Sequence, residues 1–252
     1  MQQHWRLLLD SEAGGAWNMR VDAALLASAQ QGGAPTLRLY TWNRPCLSLG
    51  YVQDCSRERS AACQRAGVDI VRRVTGGGAV LHGGDLTYTI AAPETALPAG
   101  LIASYALVER VLRAVLAELG VRCDVSFPRT ARNRAFDCFS DRSHDALCVH
   151  GRKLCGSAQR RCGGGVLQHG SLRLFPDAAV CADAAGVDPE AATSLRQLGV
   201  ECSHAEISAR LVVAFTHVVG VVCEPGELSA EESAAASQPP IAHSSLAAFS
   251  AV

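Results

Sequence analysis

The chain has 252 residues, 48% of them hydrophobic and 19% charged, with a formal net charge of −1. These values fit one large globular domain and exclude a disordered or strongly basic protein. No run of about eighteen apolar residues occurs, so no membrane-spanning helix is expected.

The elements follow in chain order from periodicity and breakers. Trp5 to Asp10 reads as a strand, and Asn18 to Gln30 as a helix in which Val21, Leu25 and Ala29 form an apolar stripe. Thr36 to Trp42 alternates as a strand should, and Cys46 to Gly50 follows Pro45 as a shorter one. Ser56 is placed to cap a helix that runs to about Ala66 and stops at Gly67. Asp69 to Val74 is a strand running into Thr75-Gly76-Gly77-Gly78. Ala79 to Leu81 and Leu86 to Ala91 are strands joined across His82-Gly83-Gly84-Asp85, a sequence suited to a tight turn. Ile102 to Leu119 gives the clearest helical pattern, closed by Gly120. Leu147 to Val149 and Lys153 to Ser157 read as a hairpin turning at His150-Gly151-Arg152, and Val166 to Leu174 as a further strand. From Pro176 the pattern is helical, ending in Ala205 to Val219. Glu224 to Ser250 is rich in Ala, Ser, Glu and Pro with little periodicity, which predicts a largely disordered tail. The expected organisation is a catalytic domain over 1–222 and a tail over 223–252. Hairpin-linked strands without strict β-α-β alternation predict an α+β fold with a mixed sheet flanked by helices.

Three features bear on chemistry. Twenty-two arginines accompany a single lysine, Lys153. Arg and Lys serve equally as solvated charges, so a lysine retained alone points to a role for a compact, titratable amine. Eleven cysteines, odd in number and without a C-x-x-C pair, fit a reducing compartment, where most act as small apolar residues. No leader is read at the first residues, and the cytosol is the expected location. Finally, three glycines follow Arg72-Arg73-Val74-Thr75, where backbone can approach a ligand closely and paired arginines can donate to an anion. The segment is neither a P-loop nor a dinucleotide-binding turn.

Taken with that glycine segment and His82, the stretch Cys138-Phe139, Gly151-Arg152-Lys153-Leu154-Cys155-Gly156-Ser157-Ala158-Gln159 and Gln168-His169-Gly170-Ser171 resembles a known family. It is similar to the lipoate–protein ligases, biotin–protein ligases and lipoyl(octanoyl) transferases, over about Trp5 to Leu174. The arrangement is most similar to octanoyltransferases of the lipoate–protein ligase A-like kind. The resemblance implies a mixed sheet related to class II aminoacyl-tRNA synthetases. It also implies Cys138 as the acyl-carrying nucleophile and Lys153 as the active-site lysine. Arg73, Gly76, Gly77, Gly78, His82, Gly156, Ser157, Ala158 and His169 would then lie beside the substrate. His82 and His169 are equally readable as satisfied structural histidines, and Cys155 as core.

The implied reaction moves an octanoyl group from acyl carrier protein, through a Cys138 thioester, to a lysine of a lipoyl-domain protein or glycine-cleavage H protein, without a cofactor. A thiol nucleophile splits one hard transfer into two easier ones, and a neighbouring cation favours the thiolate. The alternatives are an ATP-dependent lipoate–protein ligase and a lipoyl-domain amidotransferase. Between Arg129 and Arg161 eight basic residues face three acidic ones, a patch suited to steering an acidic protein. No nucleic-acid module, membrane association or metal-ligand spacing is read.

Overall fold

The computed structural model describes residues 2–124 and 146–238. Ten strands and six α-helices are found among them: β1 His4–Leu9, α1 Gly15–Gln30, β2 Thr36–Tyr40, β3 Cys46–Leu49, α2 Arg57–Arg65, β4 Asp69–Arg72, β5 Val80–His82, β6 Asp85–Pro93, α3 Leu101–Glu118, β7 Ala146–Val149, β8 Arg152–Cys162, β9 Gly165–Arg173, α4 Ala179–Ala185, α5 His204–Val219, β10 Val222–Pro225 and α6 Ala230–Ser237. The strands form a seven-stranded sheet ordered β10-β1-β2-β6-β9-β8-β7 and a three-stranded sheet ordered β4-β3-β5. β1 pairs in parallel with β10 and β2, and the rest of the large sheet is antiparallel. This is the mixed α+β architecture the sequence predicts.

Alternation along the strands divides the large sheet into two unlike faces. Leu37, Leu39, Leu86, Ile90 and Leu172 point to one side, where α3 and α5 cover them with Val108, Val111, Leu112, Leu211 and Phe215. The opposite face carries α1, with Leu8, Ala91 and Leu167 packed under Val21 and Leu25. The small sheet lies on this second side, joined to it through Met19, Tyr40, Trp42, Cys46 and Val71, and α2 and α4 close over it. Among the described residues no helix is long and apolar enough to cross a membrane.

Local chemistry explains the joints. Ser56 accepts from the Arg59 amide to start α2, and Ser203 and Glu206 form a reciprocal capping box on α5. Between β7 and β8 His150 and Gly151 both have positive φ, the two-residue turn that matches strand twist. Asp124 fixes that turn by accepting from both amides, at 3.1 and 2.7 Å. β5 and β6 do not pair with each other across His82–Asp85; the turn instead carries the chain from the small sheet into the large one. Gly83 there has φ of +148°, and a side chain at Gly84 would meet the Phe175 carbonyl at 2.8 Å.

The chain's end departs from expectation. Residues 223–238 are not a disordered tail: β10 extends the sheet and α6 docks on α1. Composition misled because α6 has almost no large apolar side chain. Its anchor is polar, Glu232, 4% exposed, which accepts twice from Arg6 at 2.7 Å and pairs with Ser229 in a capping box. Residues 239–252 lie outside the described residues. Replacing Glu232 by Ala removes two charge-assisted bonds and a cap, so stability in urea should fall by about 2 kcal/mol. An unchanged midpoint would place α6 outside the cooperative fold.

Candidate active site

The face of the large sheet turned toward α1 is polar where β2, β6, β9 and β8 meet. The register sets Arg38, Thr89, His169 and Ala158 in one row and Tyr40, Thr87, Ser171 and Gly156 in the next. Buried polar groups must be satisfied, and α1 satisfies the first row with Asp22. The Asp22 carboxylate accepts from Arg38 at 2.8 Å, Tyr40 at 3.1 Å, Thr89 at 3.0 Å and His169 Nδ1 at 2.9 Å. Arg38 is fully buried and also donates to Asp10 and to Asn18, with its guanidinium 3.9 Å from the centre of the Tyr40 ring.

A second network hangs on Arg73, 4% exposed. Its guanidinium donates to the Thr75 hydroxyl at 3.2 Å, to the Ser48 carbonyl at 2.8 Å and hydroxyl at 3.4 Å, and to the carbonyls of Gly76 and Gly78 at 2.7 Å each. Thr75 and Ser48 each reach a histidine: Thr75 lies 2.6 Å from His169 Nε2, and Ser48 lies 2.8 Å from His82 Nε2. Each histidine is backed by a carboxylate, His169 by Asp22 and His82 by Asp85 at 2.8 Å. Asp85 also accepts from Ser171 and Thr87, and His82 stacks on Trp42 with centroids 3.9 Å apart. Because the Thr75 hydroxyl accepts from Arg73, its own hydrogen is free to donate to His169 Nε2. That imidazole is thereby directed to carry its proton on Nδ1, toward Asp22.

Between these networks lies a narrow cavity, walled by Met19, Trp42 and Val80 on its apolar side and by Arg73, His82, Ser157, Ala158 and His169 elsewhere. Of the residues singled out in the sequence, Arg73, His82, Gly156, Ser157, Ala158 and His169 therefore share one space. Gly76, Gly77 and Gly78 form the loop that Arg73 staples, beside the cavity rather than in its wall. Cys155 is core, 1% exposed. Cys138 lies outside the described residues. Asp22, Arg38, Ser48 and Asp85 went unread in the sequence because each sits alone in a helix or strand; only pairing reveals their convergence.

Lys153 is 2% exposed and owes its direction to a bulge. Leu147 faces Cys155 whereas Cys148 faces Lys153, so Leu154 is an extra residue in β8. Leu154 and Cys155, consecutive in sequence, both lie in the core under α3. The broken alternation turns Lys153 to the side of Gly156 and Ala158, the cavity side. A parallel bridge between Lys153 and Ala192 agrees, because Ala192 packs on Val80 of the cavity wall.

Burial sets the protonation of the site. It pushes His169 below the ordinary histidine range, with the Arg73 charge adding to the effect against the pull of Asp22. Burial also opposes ionised Asp22, but the His169 hydrogen bond and the Arg38 charge outweigh it and leave the carboxyl below its usual range. Asp85 is lowered likewise, its neighbour His82 overcoming the burial penalty.

Such a frame, a mixed sheet flanked by helices, is shared with solved lipoate–protein ligases. The structure is similar to lipoate-protein ligase A bound with ATP (TM-score 0.77, 21% identity, covering 94% of this chain and 93% of that one). It is also similar to the bi-partite lipoate protein ligase of Thermoplasma acidophilum (TM-score 0.73, 21% identity, 93% and 91% covered). The chain belongs to the lipoyl protein ligase A/B catalytic domain family, whose model matches residues 15–216. Among curated relatives, octanoyltransferase LipM of Kyrpidia tusciae is 36% identical over 259 residues, with 94% of each chain covered. Octanoyltransferase LipM of Carboxydothermus hydrogenoformans is 41% identical over 177 residues, covering 69% of this chain and 66% of that protein.

Two outcomes test the networks. A lysine at position 73 offers three donors on one atom and cannot span two hydroxyls and three carbonyls, so Arg73→Lys should cost about 3 kcal/mol in urea unfolding. Protonation gives the second. His169 has its folded pKa below the unfolded value, so its contribution is complete above about pH 6.5 and is lost as pH falls further. Asp22 and Asp85 add a second loss below about pH 4, again because the unfolded chain takes up the proton first. Urea midpoints should hold steady from pH 8 to 7 and decline toward pH 5. His169→Gln should flatten the decline above pH 5.

Proposed function

We propose that this chain is an octanoyltransferase of lipoate cofactor biosynthesis, with the cavity beside Lys153 as the seat of the acyl chain. The observation that carries the reading is Lys153 itself, the sole lysine, buried and turned by a bulge to the face of β8 on which Gly156 and Ala158 line a partly apolar cavity. The relatives named octanoyltransferase, matched along nearly the whole chain, support it. The donor is an octanoyl thioester of acyl carrier protein, and the acceptor is a lysine of a lipoyl-domain protein or glycine-cleavage H protein.

Two acyl exchanges accomplish the transfer. In the first, the Cys138 thiolate attacks the octanoyl carbonyl carbon; the carrier's sulfur leaves as thiolate and takes up a proton. In the second, the acceptor amine attacks the Cys138 thioester, an amide bond forms, the Cys138 sulfur leaves, and the amine nitrogen gives up its proton. Lys153 supplies a cation that favours the thiolate and steadies the carbonyl oxygen as it gains negative charge. Arginine is a poor substitute, because its planar fork does not fit a narrow site or exchange protons near neutrality. Arg73, His82 and His169 keep the cavity walls in place; its apolar side takes the hydrocarbon chain.

Intact-mass spectrometry after mixing the protein with octanoyl-carrier protein, without ATP, tests this. One octanoyl group should be gained and released by hydroxylamine, and Cys138→Ser should gain none. Lys153→Ala should slow acylation by about 100-fold or more, the scale of losing one electrostatic stabiliser. ATP-dependent modification of a lipoyl domain by free lipoate, without an enzyme adduct, would make the protein a ligase instead.

A further inference from the structure

β8 and β9 separate where Lys153 lies. Their pairing runs from Cys162 opposite Gly165 to Cys155 opposite Leu172 and stops there. Beyond that point the place of β9 beside β8 is taken by a strap, residues 192–196. Ala192 bridges Lys153 in parallel, and the Thr193 amide donates to the Lys153 carbonyl at 3.0 Å. The Leu195 and Arg196 amides then donate to the carbonyls of Arg173 and Leu174, also at 3.0 Å. One segment is thus hydrogen-bonded to the diverging ends of both strands, with Ala192, Thr193, Ser194 and Leu195 all buried.

Arg152, the residue before the lysine, holds the strap against β8. The strap is entered from α4 through a 3₁₀ turn at Pro189–Ala191, started by Asp188, whose carboxylate accepts from the Glu190 amide at 2.9 Å. So short a turn leaves its last carbonyls to be met from outside. The Arg152 guanidinium meets two of them, donating from Nε to the Glu190 carbonyl at 3.1 Å and from Nη2 to the Pro189 carbonyl at 3.3 Å. The Glu190 carboxylate, 3.7 Å from Arg152 but 85% exposed, adds little. Without the strap Lys153 would depend on β7 alone, a strand of four residues whose register with β8 shifts between Leu147 and Cys148. A ladder interrupted by a bulge is a weak guide for the residue beside it.

We propose that Arg152 is a positioning residue for Lys153: by clamping the strap it fixes the start of β8, and so the place from which the ammonium meets the acyl carbonyl. The inference rests on the acyl-transfer reading of the cavity, in which Lys153 steadies charge on that carbonyl oxygen. Such stabilisation depends steeply on placement, since a displacement of about 1 Å can cost about 100-fold in rate. Arginine suits the task because its fork donates to two carbonyls at once.

The test follows single-turnover acylation by octanoyl-carrier protein and by octanoyl-N-acetylcysteamine in the wild type, Arg152→Ala, Arg152→Lys, Lys153→Ala and the Arg152→Ala/Lys153→Ala double variant. The Arg152 side chain is 32% exposed, so its replacement leaves the core intact. Arg152→Ala should lower the limiting rate about 10-fold or more with both donors while the half-saturating concentration moves by less than about 2-fold. Arg152→Lys keeps donors for a carbonyl and should recover part of the rate. Without the ammonium the clamp has nothing to position, so adding Arg152→Ala to Lys153→Ala should cost less than about 2-fold. Hydrogen exchange gives a readout independent of the reaction: the Thr193 amide should exchange about 10-fold faster in Arg152→Ala, with the amides of β9 and α3 unchanged. A higher half-saturating concentration at unchanged rate, equal losses in the two backgrounds, or an unaltered Thr193 amide would each overturn the proposal. No acylation of the wild type by either donor would overturn the transferase reading and this inference together. Normal wild-type acylation, with a faster Thr193 amide but unchanged rates in Arg152→Ala, would overturn the positioning role alone.

Discussion

The charge on Asp22 is the constraint on which the active face depends. A carboxylate taken fully out of water is tolerated only if opposite charge and donors surround it. Here those partners come from β2, β6 and β9. Satisfying one carboxylate therefore fixes where α1 crosses the sheet, how Arg38 and Tyr40 are turned, and which way His169 presents its ring. Through Thr75 the same chain of donors reaches Arg73, and through Arg73 the glycine loop. The cavity wall is thus held by a continuous polar network, where apolar packing alone would leave side chains free to repack.

The two halves of the wall have different origins. The large sheet provides a stiff floor, because β9 is buried along its whole length between β6 and β8. The small sheet provides a roof whose main links to that floor are side-chain contacts, including the Trp42–His82 stack, the Thr75–His169 bridge and the His82–Asp85 pair. A polar roof on a polar floor leaves only its middle for hydrocarbon, which is why the space is narrow and bounded by Met19, Trp42 and Val80.

Much of the fold was legible because it is written in local signals. The helices Asn18 to Gln30 and Ile102 to Leu119, the Ser56 cap and the His150-Gly151 turn follow from periodicity and backbone preference, which neighbours in sequence determine. The family resemblance placed Arg73, His82, Gly156 to Ala158 and His169 together, and they do surround one cavity. What escaped was long-range. Asp22 looks like an ordinary helical acid until Arg38, Tyr40, Thr89 and His169 are folded onto it. α6 escaped for the same reason: its fold-defining contact, Arg6 with Glu232, spans nearly the whole described chain, and no window of composition contains both partners.

Leu154 has a significance that its chemistry does not suggest. It is an ordinary apolar residue that sits in the core beside Cys155, out of step with the pleat, and so keeps its neighbour on the other side of β8. Were Leu154 to take the regular place opposite Cys148, alternation would carry the only lysine side chain in the protein into the hydrocarbon beneath α3, with every functional residue still in the sequence. The reading frame of the sheet is in that sense part of the active site. A slip of register in this short stretch changes the site without changing its residues, and a relative can be misread by any comparison that tallies residues without tracking register.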